Sequence, residues 1–414
     1  MAAKCHALSG ALLAKEEEIM KINRVEIIPV DIPYVSEFRY SSMPWPPPDR
    51  RPPTGKFVIL KILTDGGLEG VGSSRTLVNR ESDMLTMKRV ASEFLIGQDP
   101  LNTERILSRI DVGMYLDEID YSIKAHIDYA LYDLKGKILN VPVYQLLGGL
   151  CREKVPLEWI LVMDEPEVMA EKAVKYIEAG FHGLKVHTGG DPKLAVRRFK
   201  AVREAVGPEI PMGIDMSSVT GSASHWNAHD ALRLIEELTQ YNLHYAEQPV
   251  TTYDIDGFVA LKRSTKVPIV ADASARSVVE VHQMIKRGAA DMFHCLLSRV
   301  GGLRLASKYT TLIEAANLDY AICSVGTGIE HAAGAHFMVS RTKRDRVLDE
   351  LALILYIYGG TETKGITTDV TKEINGKIEK GYLYPPKGPG LGIELNQEII
   401  DKRHAPGINT IVVQ

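Results

Sequence analysis

Four short apolar stretches between residues 183 and 272 decide the fold, because each of them ends on a charged or polar side chain. They read G-L-K-V-H at 183–187, I-P-M-G-I-D at 210–215, L-H-Y-A-E at 243–247 and P-I-V-A-D at 268–272. Amphipathic stretches at 192–206 and 228–240 lie between them and predict helices. This alternation predicts parallel strands joined by crossover helices.

The same alternation continues outward in both directions. Further candidate strands lie at residues 155–162, 290–296 and 319–324, and a less legible eighth unit lies around 347–355. No G-x-G-x-x-G motif follows the first strand, which disfavours a dinucleotide-binding sheet. We therefore predict an α/β protein whose residues 149–360 form a closed (β/α)₈-type, TIM-like barrel.

The residues before the barrel predict a separate domain of mixed α+β structure over residues 20–148. Residues 56–63 predict a strand that enters a turn at Thr64-Asp65-Gly66-Gly67. Helical periodicity follows, with the strongest pattern at 121–139. This domain is expected to cap the barrel.

The two ends of the chain are expected to lie outside these units. Residues 1–19 contain a short apolar run followed at once by Lys15 and three glutamates, which favours a disordered leader. Residues 361–414 are rich in Gly and Pro and are expected to return to the first domain.

The composition excludes several classes of protein. The 414 residues include 49 Lys and Arg against 53 Asp and Glu, so the net charge is −4, and neither a nucleic-acid partner nor a membrane partner is expected. No uncharged apolar stretch is long enough to cross a bilayer. The four cysteines have neither disulfide-framework nor zinc-site spacing, which favours a reducing compartment and a cytoplasmic location.

The polar residues at the strand ends predict a metal site. In a barrel the carboxyl ends of the strands meet at one rim, and here they carry Lys185, His187, Asp215, Glu247 and Asp272. A single carboxylate at such a position is often a helix cap, but three would repel one another unless a cation neutralised them. Oxygen ligands suit a hard cation, so we predict one Mg²⁺ per chain.

In these and several other stretches the chain resembles a known family, the enolase superfamily in its mandelate racemase and muconate lactonizing enzyme branch. The matching stretches run in the expected order: Ile127 to Lys137, Pro142 to Gly149, Gly183-Leu184-Lys185, Ala246-Glu247-Gln248-Pro249, Pro268 to Asp272, Arg299-Val300-Gly301-Gly302 and Gly390 to Glu394. The resemblance implies a capping domain over a modified barrel and a Mg²⁺ held by Asp215, Glu247 and Asp272. A small carboxylic acid substrate and a homo-oligomeric assembly are also expected.

Lys185 and His187 are the candidate catalytic residues. Period two places both side chains on the same face of their strand, toward the lumen of the barrel. The family commonly has Lys-x-Lys there, with the second lysine as the base, and His187 replaces that lysine. Histidine titrates near neutrality and can keep the role; the alternative is a histidine that only hydrogen-bonds to a neighbouring ligand.

Several other positions depart from the family pattern. Leu296 stands on the sixth strand where the family often has lysine or aspartate, and Cys323 follows the seventh strand without the histidine of racemases. His294, on the face of Leu296, is interpreted as a satisfied core histidine. Ser217, where asparagine is frequent, and Cys323 are candidate substrate contacts.

Two residues of the proline-rich loop at 41–53, Trp45 and Arg50, are further candidate substrate contacts. Family members fold this loop over the barrel mouth, and an arginine there can clamp a distal carboxylate or hydroxyl. The alternative is a solvated surface loop.

Together these residues predict an enzyme that removes the proton α to a carboxylate through an enediolate. Because acid–base groups are evident on only one face, the preferred reaction is dehydration of a hydroxy acid or sugar acid by a metal-dependent lyase. A racemase, an epimerase or a lactonizing cycloisomerase is the alternative. A non-catalytic carboxylate-binding homologue is a more distant one.

Overall fold

A computed structural model of the chain describes residues 20–33, 54–75, 79–113, 120–218, 226–351 and 354–414. The predicted leader at 1–19 and the loop residues Trp45 and Arg50 lie outside the described residues.

The N-terminal part of the chain is built on a four-stranded antiparallel sheet. Strands β1 (Ile22–Pro33), β2 (Thr54–Thr64) and β3 (Glu69–Arg75) are neighbours, and β14 (Ile411–Val413) from the end of the chain pairs with β1. Successive side chains of β2 point to opposite faces of the sheet, and both faces are buried. Leu60 and Ile62 pack with the helices of this domain, and Phe57 and Ile59 belong to the core shared with the barrel.

The helices of this domain cover one face of the sheet. They are α1 (Arg80–Val90), which continues as one turn of π-helix at Ala91–Leu95, then α2 (Thr103–Gly113), α3 (Tyr121–Ile138) and the short α4 (Val143–Leu146). Asn79 and Asp120 accept backbone N–H groups as the N-caps of α1 and α3, which fixes where these helices begin.

The second unit is a curved sheet of seven parallel strands in sequential order. After the short β4 (Val155–Pro156), its strands are β5 (Glu158–Leu161), β6 (Gly183–His187), β7 (Met212–Asp215), β8 (Tyr245–Glu247), β9 (Ile269–Ala271), β10 (Met292–Leu296) and β11 (Asp319–Cys323). Residues 349–350 close the ring, because Cys323 pairs with Glu350 and Leu157 pairs with Asp349 in parallel bridges. The predicted barrel is confirmed.

Helices surround this sheet. They are α5 (Pro166–Glu178), α6 (Pro192–Val206), α7 (Ala228–Leu238), α8 (Ile255–Ser264), α9 (Val278–Arg287), α10 (Leu297–Val300), α11 (Leu303–Ala315), α12 (Gly328–Val339) and α13 (Ile354–Tyr358). Proline at the first position of α5 and α6 and the N-caps Asp191, Asn227, Asp254 and Ser277 start them at the rim.

The C-terminal segment returns to the first domain. It contains β12 (Ile378–Glu379), β13 (Tyr382–Leu383) and α14 (Gln397–Arg403) before β14. The buried Asp133 of α3 accepts hydrogen bonds from the backbone of Val71 and Leu391 at 2.9 and 2.8 Å. In the described part of the chain, no helix is long and apolar enough to cross a membrane. The domain boundaries given above stay predictions.

Candidate active site

The parallel register brings the predicted site residues to one end of the barrel. His187 lies level with Asp215, and Asp215 lies level with Glu247 on the next strand. Asp272 follows directly after β9. Lys185, His187, Asp215 and Glu247 are all buried, and Asp272 is half-buried. The structure therefore places all five in one polar cluster.

Lys185 lies between two carboxylates. Its Nζ donates to both oxygens of Glu247, at 3.2 and 3.0 Å, and forms an ion pair with Glu350. Burial would lower the pKa of Lys185, but the nearby carboxylates, Glu247 first, outweigh burial and raise it well above its usual range. Burial raises the pKa of Glu247, and Lys185 opposes that shift. Lys185 is thus a fixed ammonium group.

His187 lies beside Asp215. Its Nε2 is 3.4 Å from Asp215 Oδ2, and burial lowers the pKa of the imidazole, while Asp215 acts in the opposite sense. The other oxygen of Asp215 accepts hydrogen bonds from the backbone N–H and the hydroxyl of Ser217, both at 2.7 Å. Ser217, with φ of 43°, therefore orients the aspartate. Its role as a substrate contact stays a prediction.

Asp272 is held by two basic side chains. Arg299 Nη1 donates to its Oδ1 at 2.5 Å, and His294 Nδ1 is 3.2 Å from the same oxygen. Burial alone would raise the pKa of Asp272, but Arg299 and His294 lower it strongly. Arg299 lies in the Arg-Val-Gly-Gly stretch, and nothing in the sequence indicated its carboxylate partner.

The structure corrects the interpretation of His294. Its ring lies among three carboxylates, 3.2 Å from Asp272, 3.5 Å from Glu247 and 3.3 Å from Glu350. Burial would lower its pKa, but Glu350 and Glu247 raise it well above the usual range. The signal was available, because period two places His294 on the lumen face of its strand.

Glu350 was missed because its strand is short and irregular. It is buried, pairs with Lys185 and lies beside His294 Nε2. Burial would raise its pKa, but His294 and Lys185 hold the pKa far below the usual range. The sequence signal was Asp349-Glu350 within the apolar stretch at 347–355, in the place of a strand end.

Three further side chains of the barrel are buried. Cys323 ends β11, is buried and lies level with Leu296; burial raises the pKa of its thiol to about 11. His331 and His336 pack inside α12, where burial lowers their pKa values to about 4 and about 3.

The residues present fit a hard divalent cation. Asp215, Glu247 and Asp272 offer carboxylate oxygens from three neighbouring strand ends, the donor type that Mg²⁺ prefers. Glu247, Asp272 and His294 each have one ligand atom within 4.8 Å of the others, whereas Asp215 is not part of this group among the described residues. Lys185 and Arg299 lie against Glu247 and Asp272, so part of the negative charge that would attract a cation is compensated by the protein.

Comparison with known proteins identifies the class. Residues 168–399 match the family described as Enolase C-terminal domain-like, and residues 52–148 match the N-terminal domain of mandelate racemase / muconate lactonizing enzyme. The chain therefore belongs to the mandelate racemase and muconate lactonizing enzyme branch of the enolase superfamily, as the sequence motifs predicted.

Individual relatives carry out different reactions. The chain is 32% identical to an N-succinyl-L-Arg/Lys racemase of Bacillus cereus, over 92% of this chain and 98% of that protein. It is 30% identical to a D-galactonate dehydratase of Pectobacterium atrosepticum, over 86% and 92% of the two chains. A mandelate racemase/muconate lactonizing family protein from Azoarcus sp. EbN1 has a TM-score of 0.85 at 34% identity and covers 95% of this chain and 100% of its own. The chain is accordingly an enzyme of this superfamily.

Proposed function

We propose that the protein removes the proton α to a carboxylate and eliminates a β-hydroxyl group, so that a hydroxy acid or sugar acid becomes a 2-keto-3-deoxy acid. The observation that carries this proposal is the asymmetry of the barrel mouth. One side carries Lys185 and His187, whereas β10, the sixth barrel strand, ends on the apolar Leu296, and its His294 is engaged by Asp272, Glu247 and Glu350.

Asp215, Glu247 and Asp272 are proposed to hold Mg²⁺. When bound, the ion supplies positive charge toward the substrate carboxylate, whose negative charge grows as the α-proton leaves. Asp272 is oriented by its contacts with Arg299 and His294, and Asp215 by its hydrogen bond from Ser217. Such supporting contacts keep ligands in place.

His187 is proposed as the base. Lys185 is held by Glu247 and Glu350, so it serves as a fixed positive charge, and the imidazole is left to accept the α-proton. The histidine then returns that proton to the departing β-hydroxyl, which leaves as water. The resulting enol tautomerises to the keto acid.

Racemisation or epimerisation is the second candidate, and Cys323 favours it. Cys323 ends β11, the seventh barrel strand, whereas His187 ends β6, the second. A second acid–base group at this position would serve the opposite face of a planar intermediate. The similarity to the B. cereus racemase points the same way. Cycloisomerisation and binding without turnover have no separate observation in their favour.

A single NMR experiment separates these reactions. The Mg²⁺-loaded protein is incubated in D₂O with sugar acids, N-acyl amino acids and dipeptides, and ¹H spectra are followed. We expect loss of the α-proton signal and of the C3–H signal of the carbon that carries the β-hydroxyl group, which moves upfield as that group leaves. In His187→Asn both signals should persist, whereas the exposed control His282→Asn should behave as the parent protein. Exchange into the opposite stereoisomer with the hydroxyl retained would establish the racemase and reject the dehydratase.

A further inference from the structure

Beside the carboxylates of the rim, three side chains of different chemistry converge inside the barrel. They are His294 of β10, Cys323 of β11 and Glu350 of the closing segment. One ligand atom of each lies within 4.8 Å of the other two, and all three residues are buried. This second group contains none of the proposed Mg²⁺ ligands Asp215, Glu247 and Asp272, although His294 also lies beside Asp272 and Glu247.

The imidazole of His294 faces this group with a nitrogen that lacks a hydrogen bond. Nδ1 lies 3.2 Å from Asp272 Oδ1, where an N–H would donate to the carboxylate. Nε2 is buried and makes no hydrogen bond in the described structure, although Glu350 Oε2 lies 3.3 Å away. A histidine that donates from one nitrogen to a carboxylate and offers the other is the usual arrangement of a metal ligand.

Glu350 divides its two oxygens between different neighbours. Oε1 contacts the ammonium group of Lys185, and Oε2 points toward His294 Nε2. One oxygen can therefore stay with Lys185 while the other binds a cation. The three side chains thus offer one sulfur, one nitrogen and one oxygen ligand to the same cation.

We propose that His294 Nε2, Cys323 Sγ and Glu350 Oε2 form a second cation site, selective for Zn²⁺ and similar borderline-soft divalent ions. Thiolate and imidazole ligands prefer such ions to Mg²⁺, and a Cys, a His and a carboxylate all belong to the zinc ligand set. Binding releases the thiol proton and any proton on Nε2 to solvent. These three ligands come from separate segments of the chain, β10, β11 and the closing segment. They therefore form none of the usual local zinc motifs, and the spacing of the cysteines in the sequence does not indicate them.

The site also connects to the rim. A cation on Nε2 fixes His294 as the tautomer that donates from Nδ1 toward Asp272, one of the proposed Mg²⁺ ligands. The competing state is an imidazolium ion that pairs with Glu350, Glu247 and Asp272 and excludes a metal.

Cobalt titration of the full-length protein tests the proposal. With the protein kept in excess Mg²⁺, one equivalent of Co²⁺ should produce the near-ultraviolet thiolate-to-cobalt charge-transfer band, and Zn²⁺ should abolish it. Cys323→Ser should remove the band, whereas Cys295→Ser, which changes the neighbouring buried cysteine, should retain it. Absence of the band in the parent protein, or its persistence in Cys323→Ser, overturns the site.

A second measurement needs no variant. X-ray absorption of the wild-type protein with one equivalent of Zn²⁺ should show one sulfur ligand together with nitrogen and oxygen. Only nitrogen and oxygen ligands would place the ion elsewhere and reject the proposal. Neither result depends on turnover, so a failure of the proposed dehydration leaves this test intact.

Discussion

At the scale of single residues, two of the three carboxylates proposed to hold Mg²⁺ pair with a cationic side chain. Glu247 contacts Lys185 and Asp272 contacts Arg299, whereas Asp215 lies near His187, whose pKa is lowered by burial. Three carboxylates this deeply placed would otherwise destabilise the fold, since an unpaired buried charge is costly. The cationic partners of Glu247 and Asp272 lower this cost, and the site still offers the oxygen ligands that a hard cation needs.

Neutralising any one of the three carboxylates should weaken Mg²⁺ binding. Asp215→Asn, Glu247→Gln and Asp272→Asn each remove one anionic ligand, so we expect an affinity loss of at least about 100-fold, since even supporting residues cost 10–100-fold. Isothermal titration of metal-stripped protein measures this directly. The exposed Glu237→Gln is the control, and unchanged affinity in any of the three rejects that residue as a ligand.

What the sequence predicts at this scale follows from strand periodicity. Lys185, His187, Asp215, Glu247 and Asp272 end regular apolar stretches, so their convergence could be deduced from the barrel alone. The partners of Glu350 and Arg299 could not be deduced, because their pairing with Lys185 and Asp272 depends on how the ring closes and where α10 lies. Strand periodicity places His294 on the lumen face of β10, but it does not indicate which carboxylates lie beside the ring.

At the scale of elements, helix α11 begins without a capping side chain of its own. Its N-cap is Gly302, and the acceptor comes from α3: Asp128 receives the backbone N–H groups of Leu303 and Arg304 at 2.6 and 3.1 Å. A side chain at Gly302 would collide with Asp128, since a Cβ would lie 2.5 Å from its carboxyl carbon. The glycine thus allows one helix to cap another.

Removing this cap should destabilise the protein strongly. Asp128→Ala leaves two buried N–H groups without an acceptor, so we expect about 3 kcal/mol less free energy of unfolding. Asp120→Ala, which removes the exposed N-cap of α3, should cost about 1 kcal/mol. Urea unfolding measures both variants. Equal losses in the two would show that Asp128 acts only as an ordinary cap.

Element boundaries show where sequence patterns end. The predicted strand at 155–162 divides into β4 and β5, because β4 pairs with β13 and β5 pairs with β6. The helix predicted at 121–139 is found at Tyr121–Ile138, since both its N-cap and its apolar face are local features. Local signals predict an element, and distant partners decide how it is divided.

At the scale of the whole molecule, the end of the chain completes the first sheet. β14 pairs with β1 through Val25 and Val413, which are distant in sequence. The sequence predicted the return of this segment but not the register, because a three-residue strand has too short a pattern. Arg304 of α11 also pairs with Glu104 of α2 at 3.1 Å, so several contacts join the cap to the barrel.

Two neighbouring substitutions in β14 should therefore have unequal effects on the whole protein. Val413 is 8% exposed and belongs to the core of the cap, whereas Val412 is 45% exposed on the opposite face. Val413→Asn buries an amide in place of a methyl pair, and we expect a loss of about 2 kcal/mol in the free energy of unfolding. Val412→Asn should stay within about 0.5 kcal/mol of the parent protein. Urea unfolding is followed by far-UV circular dichroism for the whole chain and, in a Trp45→Phe background, by the fluorescence of Trp159 and Trp226 in the barrel. Because the cap and the barrel share a core, both midpoints should fall together in Val413→Asn.

A shift in the circular dichroism midpoint alone would mean that the two units unfold separately. Equal effects of the two substitutions on the free energy of unfolding would contradict the buried pairing of β14.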